Sequence, residues 1–125
     1  MDKNQDIPLS ILSASQNNEY FGRMNDASAS ACNKGLCGDE MEFYLVITHN
    51  IIIGIKFYTD GCLFTKACGT TVARLALKKS LSEALNISPQ LVVETIGCVP
   101  KDYLHCSILA VGAFHKAIAD YLLKP

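Results

Sequence analysis

Met41-Glu42-Phe43-Tyr44-Leu45-Val46-Ile47-Thr48-His49-Asn50-Ile51-Ile52-Ile53-Gly54-Ile55-Lys56-Phe57 is the stretch that decides the fold. Positions 41, 43, 45 and 47 are apolar, and Glu42 and Thr48 fall on the other side. That period of two marks a half-buried strand. His49-Asn50 supplies a tight turn, after which Ile51, Ile53, Ile55 and Phe57 share a face while Gly54 and Lys56 point away. The stretch predicts an antiparallel hairpin with one buried side. Ahead of it, Asp26–Cys32 alternates Ala27, Ala29 and Ala31 with Ser28 and Ser30. Side chains so small predict a weak, peripheral third strand.

Beyond the hairpin the apolar period lengthens to that of a helix. From Cys62 to about Lys79, Phe64, Cys68, Val72 and Leu75 form a stripe, with Lys66, Thr70, Arg74 and Lys78 opposite. Ser80 and Glu83 read as a capping box opening a short helix through Leu85. Ser88-Pro89 is an N-cap followed by proline at the first helical position, and Gly97 closes that helix. A last helix runs from about Tyr103 to Leu123, with Asp102 a candidate cap and Ile108, Val111, Phe114, Ile118 and Leu122 inward. Strands first and helices afterwards give an α+β class: a small three-stranded antiparallel sheet with helices packed on one face.

The chain has 125 residues, enough for one modest core. Residues 1–25 are polar with few periodic apolar positions and read as a short, loosely held helix or arm; 26–125 form the single domain. Half of the residues are hydrophobic and 18% are charged, which excludes general disorder. The net charge is -1 without a basic cluster, which argues against a nucleic-acid partner. The longest apolar run, near Ile51–Ile55, is far too short to span a bilayer. Met1–Asp6 lacks a basic segment leading into an apolar one, so the expectation is a cytoplasmic protein with reduced thiols.

Six cysteines then call for metal or sulfur chemistry rather than disulfides. Cys37 lies in Gly35-Leu36-Cys37-Gly38-Asp39, where two glycines let the backbone turn closely around a bound group. Cys62 follows Gly61 at the mouth of the long helix, and Cys106, preceded by His105, falls in the first turn of the last one. A helix N-terminus favours thiolate over thiol, so Cys62 and Cys106 are expected to be acidic and nucleophilic. Cys68 sits on the apolar stripe and reads as core filler, and Cys32 and Cys98 as structural. No Cys-x-x-Cys pair occurs, so zinc ribbons, thioredoxin-like motifs and ferredoxin-type runs are excluded. A zinc hydrolase or deaminase would need a His-x-Glu with Pro-Cys-x-x-Cys, and neither is present.

Cys37-Gly38-Asp39, Asp60-Gly61-Cys62, His105-Cys106-Ser107-Ile108-Leu109-Ala110 and Ala117-Ile118-Ala119-Asp120-Tyr121 together resemble the U-type iron–sulfur scaffold family, of the IscU and NifU N-terminal kind. The correspondence runs from about Asn18 onward, with no large insertion between Cys62 and Cys106. The resemblance implies a scaffold and carrier, not an enzyme. It would take sulfur from a cysteine desulfurase, add iron, assemble a [2Fe–2S] cluster and deliver it to apo-protein clients. It implies Cys37, Cys62 and Cys106 as metal ligands, Asp39 or His105 as the fourth, and Cys106 as the persulfide acceptor. The alternative is a zinc-binding, SufU-like sulfur acceptor using the same side chains. Three departures accompany the match. Val99-Pro100-Lys101-Asp102-Tyr103 replaces the Leu-Pro-Pro-Val-Lys segment read by the family's chaperone, which argues against dedicated Hsp70-type recognition. Tyr103 stands where a Lys is usual. Leu63-Phe64 replaces very small residues and is expected to shield or crowd the cluster site.

Overall fold

In the computed structural model, which describes residues 9–35, 38–97 and 99–124, the alternating stretches form β1 (Ala29–Lys34), β2 (Glu40–Thr48) and β3 (Ile51–Thr59). They pair antiparallel in the order β1-β2-β3. β1 starts later than the expected Asp26. Ser28 takes the ladder position before it, donating its N–H to Leu45 O at 2.7 Å and accepting from Ile47 N at 3.0 Å. His49 and Asn50 both adopt left-handed φ, 54° and 62°, the conformation of a two-residue hairpin turn.

One strand face differs from the sequence reading. Val46 pairs with Gly54 but Ile47 with Ile52, so Ile53 is an extra residue in β3. This bulge shifts the alternation by one. Ile52 is therefore fully buried, whereas Ile53 is 55% exposed and Ile51 lies at the surface. Ile55 and Phe57 point inward as expected.

Among the described residues there are six further elements: α1 (Leu9–Gln16), α2 (Leu63–Ala76), α3 (Leu81–Ala84), α4 (Pro89–Ile96), a 3₁₀ turn (Lys101–Tyr103) and α5 (Leu104–Leu123). α2 packs on β3, and α5 on β1 and β2, burying Met41, Phe43, Leu45 and Phe57 beneath them. Approach is closest at Gly69, where a Cβ would stand 2.5 Å from the Phe57 ring. Within the segment expected to be a short, loosely held helix or arm, Leu9–Gln16 form the short helix α1, which is held firmly: it packs on the outer side of α2 and buries Ile11 and Ala14. That cover explains why Thr70, expected on the solvent face of α2, is fully buried. The capping box at Ser80 and the Ser88 cap form as read, and Gly97 ends α4 at φ 99°.

The inward face of α5 also differs. Ile108 is 61% exposed and Leu122 56%, while Cys106, Leu109, Ala110, Val111, Ala113, Phe114, Ala117 and Ile118 are buried. Val111, Phe114 and Ile118 point inward as expected, and Ala110, Ala113 and Ala117 fill the buried face between them, which lets the helix sit close to the sheet. Lys101–Leu123 is long and apolar enough to cross a membrane by composition, yet half of its most apolar window is buried in the fold, as in a core helix. Both sheet edges are covered, which blocks edge-to-edge association. Tyr20 and Gly22 hydrogen-bond along β3 through Phe57 at 2.8 Å each. On the β1 side, Asp120 accepts from Ser30 N at 3.2 Å and Lys124 Nζ donates to Ser28 O at 2.7 Å.

Candidate metal centre

Strand register decides where the site lies. Lys34 pairs with Glu40, and Met41 with Thr59, so the β1–β2 connection and the exit from β3 share one end of the sheet. Thr59 fixes the two together: its Oγ1 donates to Glu40 O at 2.6 Å and accepts from Gly61 N at 3.1 Å. Gly35 N donates to Asp39 O at 2.7 Å, and Gly38, at φ 85°, makes a turn that a side chain would strain. At Gly61 a Cβ would stand 2.9 Å from Asp39 Oδ2 and 3.0 Å from Thr65 Cβ, so a side chain here would push on both.

Onto this end come Asp39, Cys62 and Cys106, from a loop and two helix starts. Their common neighbour is Thr65, fully buried in the first turn of α2. Its Oγ1 lies 3.1 Å from Asp39 Oδ2, 3.4 Å from Cys106 Sγ and 3.6 Å from Cys62 Sγ. One hydroxyl carries a single proton, so Asp39 and Cys106 compete for it, while the contact with Cys62 can run in either direction. His105 Nε2 stands 3.8 Å from Cys106 Sγ, which brings the imidazole to the same group. Cys37 and Cys98 lie outside the described residues. Among the described residues, no three His, Cys, Asp or Glu side chains are arranged to hold a metal ion.

The two described thiols of the site differ in access: Cys62 is exposed and Cys106 is not. The expectation of an acidic Cys106 is corrected. Burial pushes its thiol up, to about 11; Thr65's hydrogen bond opposes this, while Cys62 and Asp39 add to the rise. A 3₁₀ turn, Lys101–Tyr103, runs directly into α5, so Cys106 stands more than a turn in from where the helical backbone begins. The same turn holds Asp102, so the α5 cap position falls to Tyr103 instead. Cys68 is core filler as read, buried, with its thiol pushed up to about 12 chiefly by burial. Cys32 is exposed beside Glu40 on β1, away from the site. Phe64 stacks face to face on Tyr103, ring centroids 4.0 Å apart at 17°.

The model of the NifU-like N-terminal domain matches residues 9–125. The chain belongs to this family. Among its relatives, the iron–sulfur cluster assembly scaffold protein IscU 1 of Archaeoglobus fulgidus is 37% identical over 110 residues, 87% of this chain and 72% of that protein. The Aquifex aeolicus scaffold protein IscU is 29% identical over 117 residues, 91% of this chain and 74% of the other. In fold the chain is similar to FiSufU of Fervidobacterium islandicum, with a TM-score of 0.76 at 18% identity over 94% of this chain and 99% of the other. The N-terminal NifU-like protein of Brucella abortus gives 0.74 at 17% identity, covering 99% and 100%.

As a member of the NifU-like N-terminal domain family, the chain matches the family's model across every element just described. Thr65 is the residue that sequence reasoning missed. Its signal was positional: three residues after an N-cap cysteine, it is the first helical side chain that can turn back over the cap.

Proposed function

We propose that this chain assembles an iron–sulfur cluster as cargo on Cys37, Cys62 and Cys106, with Asp39 or His105 completing the set, and passes it to client apo-proteins. The observation that carries the reading is the meeting of Asp39, Cys62 and Cys106 around one hydroxyl, from three separate elements. Membership of a family whose named relatives are assembly scaffolds supports it. Thiolates suit iron and sulfide, and a carboxylate or imidazole in place of a fourth thiolate makes a weaker site, as release of a product requires.

Sulfur would arrive as the persulfide of a cysteine desulfurase. The acceptor thiolate attacks the terminal sulfur; a new S–S bond forms, the donor S–S bond breaks, and the donor cysteine leaves as thiolate. No outside oxidant or reductant is needed for that step. Cys106 holds the acceptor role, reached from the open side on which Cys62 is exposed. Anaerobic reconstitution with ferrous iron, desulfurase and cysteine, followed by Mössbauer spectroscopy, tests the assembly. A [2Fe–2S] signature lost in Cys62→Ser and Cys106→Ser is the expected result. Bound zinc that iron does not displace, with no cluster spectrum, overturns it in favour of a zinc-held sulfur acceptor.

A further inference from the structure

Neither helix start that bears a site thiol is capped by its own side chain. Cys62 at the head of α2 and Tyr103 at the head of α5 make no side-chain cap hydrogen bond among the described residues. Something else must hold these two ends at a fixed separation. Two adjacent residues of α2 reach across: Thr65 to Cys106 Sγ, and Phe64 to the Tyr103 ring. The rings lie nearly parallel, an arrangement that restrains distance and orientation together. Phe64 is only 9% exposed although it is two residues from an exposed cysteine, and Tyr103, at 36%, forms the outer layer.

We propose that the Phe64–Tyr103 stack is a clasp that positions Cys106 against Cys62 and keeps it out of solvent, so that sulfur and iron enter only from the Cys62 side. The inference rests on the scaffold reading for its purpose but not for its geometry. Phe64 and Tyr103 are positioning residues: they act through the helix starts that carry the thiols. Opening the clasp separates the first turn of α2 from the 3₁₀ turn ahead of α5 and uncovers Cys106. Cys68 is buried farther along α2 and stays covered unless the fold itself opens.

That difference supplies the test. Apo-protein is treated with iodoacetamide, and alkylation of Cys62, Cys68 and Cys106 is timed by peptide mass spectrometry. Tyr103→Ala should raise the Cys106 rate about fivefold, the loss of one aromatic pair expressed as local opening. Cys62 and Cys68 should change less than about twofold, since the first is already exposed and the second reports wider unfolding. Tyr103→Phe, which keeps the ring, should match the natural protein; Phe64→Leu, which keeps apolar bulk but not the stack, should resemble Tyr103→Ala. Unchanged Cys106 alkylation in both ring-loss variants, or a parallel rise at Cys68, overturns the clasp. Chelator-driven cluster loss from reconstituted protein is then timed for the same variants and should quicken with ring loss. A Cys106 response with no cluster on any variant would leave the clasp standing and sink the scaffold reading. A cluster with no Cys106 response would do the reverse.

Discussion

Thr65 and Thr70 are both fully buried in α2, five residues apart, and their hydroxyls have opposite surroundings. Thr65 Oγ1 donates toward Asp39 Oδ2 at 3.1 Å, with Cys106 Sγ 3.4 Å away. Thr70 Oγ1 finds no partner among the described residues. Valine replaces threonine with nearly the same shape and the same β-branching, so each Thr→Val change isolates a hydroxyl. A hydrogen bond to a charged acceptor contributes about 1.5–3 kcal/mol, and half-buried Asp39 regains some of that from water. Thr65→Val is thus expected to destabilise the apo-protein by about 1–2 kcal/mol, while Thr70→Val removes a desolvated, unpaired group and should stabilise by roughly 1 kcal/mol. At about 3–5 °C per kcal/mol for a chain of this size, the two melting temperatures should part by roughly 6–15 °C. Calorimetry of both variants beside the natural protein measures this. Shifts of the same sign and size would refute the hydroxyl's placement at the centre of the site.

Other perturbations follow from the same geometry. Gly69→Ala gains helix propensity but drives a methyl into the Phe57 ring at 2.5 Å, for a net loss of about 1–2 kcal/mol by urea unfolding; no loss would mean α2 is free to shift. Ser80→Ala removes the capping box of α3 and should cost about 1 kcal/mol, read from the same curves. Glu42 is held below its ordinary value of 4.5, chiefly by the hydrogen bonds from Arg23. Its contribution is therefore full above pH 4.5 and is lost as pH falls through the depressed value. Arg23→Met should accordingly destabilise at neutral pH and converge with the natural protein in acid; a constant difference across pH contradicts the pairing. Asp39→Ala should slow cluster transfer to an apo-ferredoxin, because an exchangeable oxygen ligand is gone, and equal transfer rates would remove Asp39 from the site.

The fold was legible wherever one residue type had one reading. Alternation over Met41–Ile47 could only be a half-buried strand, and Ser80 with Glu83 or Ser88 with Pro89 are caps whatever surrounds them. It was illegible where a neighbour decided. The phase of β3 changes at Ile53 because of its pairing to β2, and Ile51–Ile53 read alike on either face. On α5 Val111, Phe114 and Ile118 were readable as inward, but Ala110, Ala113 and Ala117 share that face while Ile108 and Leu122, which hydropathy ranks higher, stay exposed. Thr70 looked solvent-facing until α1 was placed over it.

The site divides along the same line. That Asp39, Cys62 and Cys106 meet was readable from motifs, since the loop after β1 and the exit from β3 must lie at one end of an antiparallel sheet. What the meeting does to each residue was not. A cysteine in a first helical turn reads as acidic, yet burial, with Cys62 and Asp39 close by, raises the Cys106 thiol against the hydrogen bond from Thr65, while Cys62 stays open. That asymmetry gives the site a direction. A group approaching from solvent meets Cys62 first, while Cys106 stays buried with Thr65 Oγ1 3.4 Å from its sulfur. The hydroxyl that sequence reasoning passed over lies between the carboxylate and the buried thiol, within reach of both, so a change at either acceptor alters what its single proton can do at the other.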